Sequence, residues 1–409
     1  MMRISTKNLV LISLLVVISK LFVWALNLKH PEVFMSNDSY SYLATAKNPW
    51  EGYFSIPNQF YDQRLRIVPG YPLIIFLLSW LDIKYFYLLS SLIPIAVGAI
   101  FYKTFSKELP QTSKLVYLFL ILDPALYFES FKVLSDSFFL LLMVLIIYFT
   151  KKCISEKSYK YSIFAGLIFG YSVLVRPIAY YLPFIVLIIF AATRSEHFKR
   201  ILVLTLIAII IPTAWIGKNY YEYGVPILSS VQGTNLIIGE VAGVRALAEN
   251  KSYEEIIADE DILKSAQLPR DATAKQVYQY DVSRAKNVLP NHPVQLLKLH
   301  IVGVAKILFG PGKMTISELL PFMPISVTKL VIYLSGAISI LFGSFSLIAI
   351  AIYFYRSKTY FLLSIYEIYF LVLASGSTAY SRFRIPISPI IFMLSLILLL
   401  GEKYERKNK

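Results

Sequence analysis

The sequence predicts an all-α polytopic membrane protein, with about 10 transmembrane helices, juxtamembrane helices and an outward-facing loop region. Three observations carry this prediction. Of 409 residues, 57% are hydrophobic and only 16% are charged, where a soluble domain carries roughly a quarter charged residues. Mean hydropathy is +0.61. Apolar runs of spanning length, about 20 residues, recur along the chain. Too few charges remain to cover a water-facing surface, so the hydrophobic mass reads as many spans and not as one large core.

The remaining composition fits this reading. The net charge of +15 is explained by basic residues in short cytoplasmic loops, and nucleic acid is not expected as a partner. Thirty tyrosines and 28 phenylalanines gather at span ends, where aromatic rings favour the interface with membrane lipids. The single cysteine, Cys153, excludes an internal disulfide, and Lys151 and Lys152 beside it place it in a cytoplasmic loop.

In chain order, the first apolar run, Leu9 to Leu26, follows Arg3 and Lys7 without a clean cleavage site and reads as a signal anchor and first span. Further spans are expected at about 84–103, 115–130, 134–150, 161–175, 177–193, 201–217, 327–354, 360–377 and 386–401. Lysine- and arginine-rich loops follow alternate spans. All of them fall on one side if 69–81 and 294–310 lie in or beside the interface, so the positive-inside rule places both termini in the cytoplasm. Three regions result: a transmembrane module over 1–217 with a first outer loop at 29–84, an outward-facing region of loop and interfacial helices over 218–326, and C-terminal transmembrane helices with a short basic tail over 327–409. Part of the middle region, about 245–290, is expected to be hinged or partly disordered and to act as a lid. The lysine- and isoleucine-rich composition points to a prokaryote, and so to the plasma (inner) membrane.

The polar residues of interest converge on the outer face. Asp38, just beyond the first span in Ser36-Asn37-Asp38-Ser39-Tyr40-Ser41-Tyr42, is a candidate general base that can take a proton from an acceptor hydroxyl. The competing reading is a helix N-cap. Arg64 and Arg66 precede Pro69-Gly70-Tyr71-Pro72; arginine forks match phosphate oxygens, and the alternative is snorkelling toward lipid headgroups. Asp123, Glu129 and Asp136 lie in or beside two spans, where acidic groups are expensive and usually functional. Arg176-Pro177 and Arg382-Phe383-Arg384-Ile385-Pro386 add cations to the same face. Glycine-rich phosphate loops, His/Cys metal patterns and a Gly-x-Ser-x-Gly elbow are absent from the sequence, which argues against a nucleotide-hydrolysing pump and a serine hydrolase.

Taken in order, these residues resemble the C-type (GT-C) glycosyltransferases, in the branch of the protein O-mannosyltransferases and lipid A aminoarabinose transferases. Asp38 with Tyr42 and Ala44 resembles that family's acidic first-loop motif. Arg66 with Pro69-Gly70-Tyr71-Pro72 resembles its loop end. Ser135-Asp136-Ser137-Phe138-Phe139 resembles its second acidic motif. Lys218-Asn219-Tyr220, Gly233-Thr234-Asn235-Leu236 and Gly239-Glu240 resemble the segment leaving span seven. Arg382 to Pro386 resembles its late Arg-x-x-x-Pro signature. The resemblance covers about residues 1–400. Arg66 departs from the acidic-lysine pair of many relatives, and a minimal version without a large soluble C-terminal domain is expected.

The resemblance implies the GT-C fold and transfer of a sugar from a polyprenyl-phosphate donor to a lipid, glycan or protein acceptor on the outer face. It implies Asp38 as base with inversion, and Asp136 as acceptor- or cation-positioning. Arg66, Arg176, Arg382 and Arg384 would bind the donor phosphate, and Tyr42, Glu129, Asn219, Asn235 and Glu240 the acceptor or sugar. It leaves a divalent cation open as cofactor, with Asp38 and Asp136 as candidate ligands. Three other readings compete: a polysaccharide polymerase or ligase using lipid-diphosphate-linked glycans, a transporter of anionic substrates, and a non-catalytic scaffold.

Overall fold

The computed structural model describes residues 5–49, 65–356 and 358–401. Arg64 and the basic tail from Glu402 onward lie outside them. Every regular element among the described residues is helical. The first half comprises α1 (Thr6–Asn27), α2 (Asn37–Ala46), α3 (Gly70–Leu77), α4 (Ile83–Phe105), α5 (Pro110–Leu122), α6 (Pro124–Glu129), α7 (Ser135–Ser155), α8 (Tyr159–Val175), α9 (Leu182–Ala192) and α10 (Phe198–Tyr223). The second half comprises α11 (Val231–Asn235), a π-helical turn (Leu236–Val241), α12 (Ala242–Glu249), α13 (Tyr253–Gln267), α14 (Ala274–Val288), α15 (Pro293–Phe309), α16 (Lys313–Leu319), α17 (Ile325–Tyr353), α18 (Lys358–Ala374), a 3-10 turn (Ser381–Ile387) and α19 (Ser388–Leu400).

This is an integral membrane protein. Among the described residues, seven helical segments are long and apolar enough to cross a membrane, and three shorter apolar helices accompany them. On α1, Val10, Leu11, Leu14, Leu15, Ile18 and Phe22 are each more than half exposed, a pattern stable only against lipid. Two segments differ from expectation. The apolar run at 115–130 is broken at Asp123-Pro124, because proline disfavours helical backbone in the residue before it; Asp123 then caps α6 by accepting from the Leu126 amide at 3.4 Å. The 294–310 run, expected in or beside the interface, lies within Pro293–Leu319, which has the length and composition of a span but is broken at Gly310 between α15 and α16. The 69–81 segment holds α3, whose eight residues are too few to cross.

Small residues let the helices approach closely, as in other membrane bundles. A Cβ added to Gly166 or Gly170 of α8 would lie 2.7 or 2.8 Å from backbone oxygens of α10. The same holds where Gly70 opens α3, 2.5 Å from the backbone of Leu174.

The bundle has two chemically different ends. At one end, the starts of α2, α7 and the Ser381–Ile387 turn meet the end of α8. At the opposite end lie Lys103 and Lys107 at the end of α4, Lys151 to Lys160 around the α7–α8 turn, and Arg194 to Arg200 around the α9–α10 turn, joined through Lys151 to Thr104 and Lys157 to Glu196.

Residues 245–290, for which partial disorder was one expectation, are folded and helical. Ser252 and Glu255 form a capping box on α13, and Thr273 and Gln276 one on α14. Glu260 accepts from Arg245 at 2.7 Å and from Arg284 at 2.8 Å, and Lys264 donates to Asp281 at 2.8 Å. Burial pushes the Glu260 carboxyl up, but the two guanidiniums outweigh it and hold it below its usual range. This lobe rests on the π-helical turn, where Tyr253 donates to the Ile238 carbonyl at 2.6 Å. The turn in turn holds the 375–379 segment, since the Ser377 amide donates to Gly239 O at 2.8 Å. That segment runs directly into Tyr380 and Arg382.

Candidate active site

Asp38 sits in the first turn of α2. The helix is capped not by Asp38 but by Ser36, in a reciprocal box with Ser39, so the capping alternative does not describe this carboxylate. Ser39 Oγ also donates to Val133 O at 2.9 Å, which ties α2 to the turn before α7. The Asp38 side chain is left 52% exposed, and its Oδ2 accepts from Arg382 Nη2 at 2.8 Å.

Asp136 occupies the equivalent place on α7, in the first helical turn, but its side chain is only 2% exposed. Arg176 Nη1, from the extended residue that ends α8, donates to Asp136 Oδ1. Arg382 Nε lies 3.7 Å from Asp136 Oδ2. The four groups therefore form an alternating row, Asp38–Arg382–Asp136–Arg176, drawn from four elements far apart in sequence.

Aromatic rings wall this row. Arg382 lies 5.0 Å from the Tyr380 ring centroid and 5.6 Å from that of Phe383, which Arg176 faces from 5.7 Å, within cation–π range. Tyr42 OH is hydrogen-bonded to Ser135 Oγ at 3.2 Å, and its ring meets Tyr71 edge-on at 4.9 Å. Burial, then the charge of Asp38, pushes the Tyr42 phenol up. Arg66 is near enough to feel Asp38: burial lowers its guanidinium and Asp38 opposes that shift. Glu129, buried at the end of α6, accepts from Thr315 Oγ1 at 2.6 Å and lies within electrostatic reach of Arg382.

Of the sequence candidates, the structure thus gathers Asp38, Asp136, Arg176, Arg382 and Tyr42, with Arg66 and Glu129 alongside. It does not bring four others to the row. Arg384, two residues from Arg382, is buried, and its Nη1 donates to the carbonyls of Ile307, Leu308 and Gly310 at 2.9–3.2 Å, closing the end of α15. Asn219 is buried and donates to Ile227 O at 2.8 Å. Asn235 is exposed at the end of α11. Glu240 lies on the π-helical turn, 3.4 Å from His300 Nε2, and burial pushes its carboxyl up to about 7.

Ser135, Tyr71, Tyr380 and Phe383 contribute to the site without having been expected there. The signal for Phe383 lay inside the Arg-Phe-Arg motif itself. The donor set does not fit a divalent cation. Each carboxylate of the Asp38–Asp136 pair already holds an arginine, hard cations take six or more oxygen ligands, and no group of three or more His, Cys, Asp or Glu residues with metal-site geometry occurs among the described residues.

No family model matches this sequence, and no curated protein is similar enough in sequence to match it. Solved structures do match in fold. One is the archaeal oligosaccharyltransferase AglB from Archaeoglobus fulgidus in complex with an inhibitory peptide and a dolichol-phosphate, at 13% identity and a TM-score of 0.50, over 95% of this chain. Another is the Archaeoglobus fulgidus oligosaccharyltransferase in the apo form, at 12% identity and a TM-score of 0.51, again over 95% of this chain. In both cases the chain spans half the length of the protein it matches. At such identity the likeness is one of fold: this chain is an all-helical polytopic membrane protein that shares the fold of these oligosaccharyltransferases.

Proposed function

We propose that this protein is a membrane glycosyltransferase that takes a sugar from a polyprenyl-phosphate donor and passes it, with inversion, to an acceptor hydroxyl at the outer face. The observation that carries the reading is the row Asp38–Arg382–Asp136–Arg176, built at the end of the bundle opposite the lysine-rich turns. By the positive-inside rule those turns are cytoplasmic, and the row faces outward. A lipid-linked donor cannot leave the bilayer, so its reacting carbon must be met at the membrane surface, where these helix ends lie.

Asp38 is the half-exposed member and can reach an acceptor arriving from water. Its carboxylate takes the acceptor proton as the acceptor oxygen bonds to the anomeric carbon from the face opposite the phosphate. The bond from that carbon to the phosphate oxygen breaks, and the lipid phosphate leaves with the electron pair. The departing group gains negative charge and needs cations more than a general acid. Arg176 and Arg382, oriented by Asp136 and by the aromatic walls, and Arg66 beside Asp38 supply them. Asp136 is too buried to meet the acceptor directly and acts by holding the two arginines. Tyr42 and Glu129, beside the row, would contact the sugar or the acceptor.

A second reading keeps the site and changes the donor to a preassembled glycan on a lipid diphosphate. The likeness in fold to oligosaccharyltransferases favours it. One experiment separates the two. Purified protein and an Asp38→Asn variant are incubated with radiolabelled polyprenyl-monophosphate sugars and with lipid-diphosphate oligosaccharides. The base role predicts a fall of about 10²–10⁴-fold in transfer for Asp38→Asn, and the donor that turns over identifies the class. Equal turnover by both proteins removes Asp38 as the base.

A further inference from the structure

Lys132, in the turn between α6 and α7, is almost fully buried, with its side chain 3% exposed. Its ammonium donates to Val33 O at 2.6 Å, to Met35 O at 3.1 Å and to Glu318 Oε2 at 2.5 Å. A lysine has three N–H donors, and these three acceptors use them all. No donor remains for a substrate, so Lys132 does not bind one. Its two carbonyl partners belong to the segment that leads into α2, three residues before Asp38 at the nearer one. Lys132 itself stands four residues before Asp136.

Two further bonds run between the same two segments. The Val133 amide donates to Phe34 O at 3.1 Å, and Ser39 Oγ donates to Val133 O at 2.9 Å. From the other side Lys20, also fully buried, donates to Tyr127 O at 3.1 Å and to Ser130 Oγ at 3.0 Å, holding the turn against α1. The starts of α2 and α7 are thus fastened to each other immediately beneath the two carboxylates that Arg382 bridges.

We infer that Lys132 is a positioning residue of the reaction: by pinning the 33–35 segment to the turn before α7, it fixes the gap between Asp38 and Asp136 that Arg382 spans. The inference rests on the proposed role of these carboxylates. Misplacing a reacting group by about 1 Å can cost about 10²-fold in rate. Loss of the pin is therefore expected to act on kcat and to leave donor binding nearly untouched. The outer partner, Glu318, is 42% exposed and lies off the row. Without it Lys132 keeps both carbonyls.

The test compares wild type, Lys132→Met, Lys132→Arg, Glu318→Gln and Asp38→Asn as full-length protein in detergent. Two readouts are used: amide hydrogen exchange without substrate, and kcat and KM with the polyprenyl-monophosphate or lipid-diphosphate donor that wild type turns over. Lys132→Met is expected to speed exchange in 33–46 by about 10-fold or more while α4 and α7 beyond residue 140 stay protected, and to lower kcat at least 10-fold with KM within about twofold. Glu318→Gln is expected to match wild type in both. Should Lys132→Met not fold, Lys132→Arg decides. Its longer, planar guanidinium presents its N–H groups in a fixed fork and is expected to displace Met35. A lowered kcat at unchanged KM supports the pin; wild-type kcat overturns it. Unchanged exchange in 33–46, or faster exchange with unchanged kcat, also overturns it. Full activity in Asp38→Asn with a slow Lys132→Met would instead strike the base assignment and leave the pin standing.

Discussion

Arg382→Gln removes the guanidinium that stands between the two carboxylates. Its contacts are Asp38 Oδ2 at 2.8 Å and Asp136 Oδ2 at 3.7 Å. A unit charge pair at 2.8 Å attracts by about 1.5 kcal/mol in bulk water and about 6 kcal/mol at an effective dielectric of 20. Asp38 is 52% exposed, so its share lies near the lower figure. Asp136 is 2% exposed, and at 3.7 Å its gross attraction is about 4.5 kcal/mol at the same dielectric of 20. Asp136 nevertheless keeps Arg176, so the cost of about 3–5 kcal/mol for stranding a buried charge is not reached. A loss of about 1–3 kcal/mol in stability is expected, the range of charged hydrogen bonds. Transfer suffers more, because in the proposed mechanism the same group faces the leaving phosphate: kcat/KM should fall about 10²–10³-fold. Thermal unfolding in detergent and donor turnover measure the two effects on one preparation. Arg384→Gln is the internal control. It strips three carbonyls of their donor inside the bundle and should lower stability with little change in kcat for the protein that remains folded. The reasoning fails if Arg382→Gln keeps kcat/KM within about threefold of wild type, or if Arg384→Gln mimics its kinetic defect while unfolding normally.

Two further outcomes follow from packing and from proton linkage. Gly70→Ala would place a Cβ 2.5 Å from the backbone of Leu174, which has no flexible end to yield; a loss of about 1–3 kcal/mol and a lower thermal midpoint are expected. Glu240 has its carboxyl pushed up to about 7 by burial. The protonated form is therefore favoured by folding, and its stabilisation is full below the unfolded pKa of about 4.3 and is lost as pH rises through 7. Glu240→Gln should accordingly stabilise the attachment of the lobe at pH 8, by on the order of 1–3 kcal/mol, and change little at pH 4, as read by hydrogen exchange in 236–241 and 375–379.

Much of this arrangement was legible in the residues, for reasons that differ by element. Spans are fixed by length and polarity, both local, so the apolar runs at 84–103, 134–150 and 327–354 correspond to α4, α7 and α17. Asp38, Asp136, Arg176 and Arg382 were legible because each is an unneutralised charge at a span end, and topology puts those ends together. Arg384 looked the same in sequence. A 3-10 turn of three residues per rotation aims two residues so close in the chain at different surroundings, and only packing decides which one meets the site. Lys132 was hidden for the opposite reason: a lysine at a span end reads as a topology signal, and its carbonyl partners lie almost a hundred residues away. The helices of 245–290 had a local signal that the polarity of the stretch masked, since Ser252-x-x-Glu255 and Thr273-x-x-Gln276 are capping boxes.

The two-ended charge layout also matters to anyone handling the protein. Every member of the row comes from one end of the bundle, so the turns at the other end, around Lys157 and Arg194, are separated from the chemistry by the length of α7, α8 and α10. Lys157 and Arg194 both sit at positive φ, a sign of tight, exposed reversals of the chain. A rigid fusion partner or an engineered antibody epitope placed there would add mass and a fiducial for imaging while leaving the surroundings of Asp38 and Arg382, where the proposed donor and acceptor would meet, as they are.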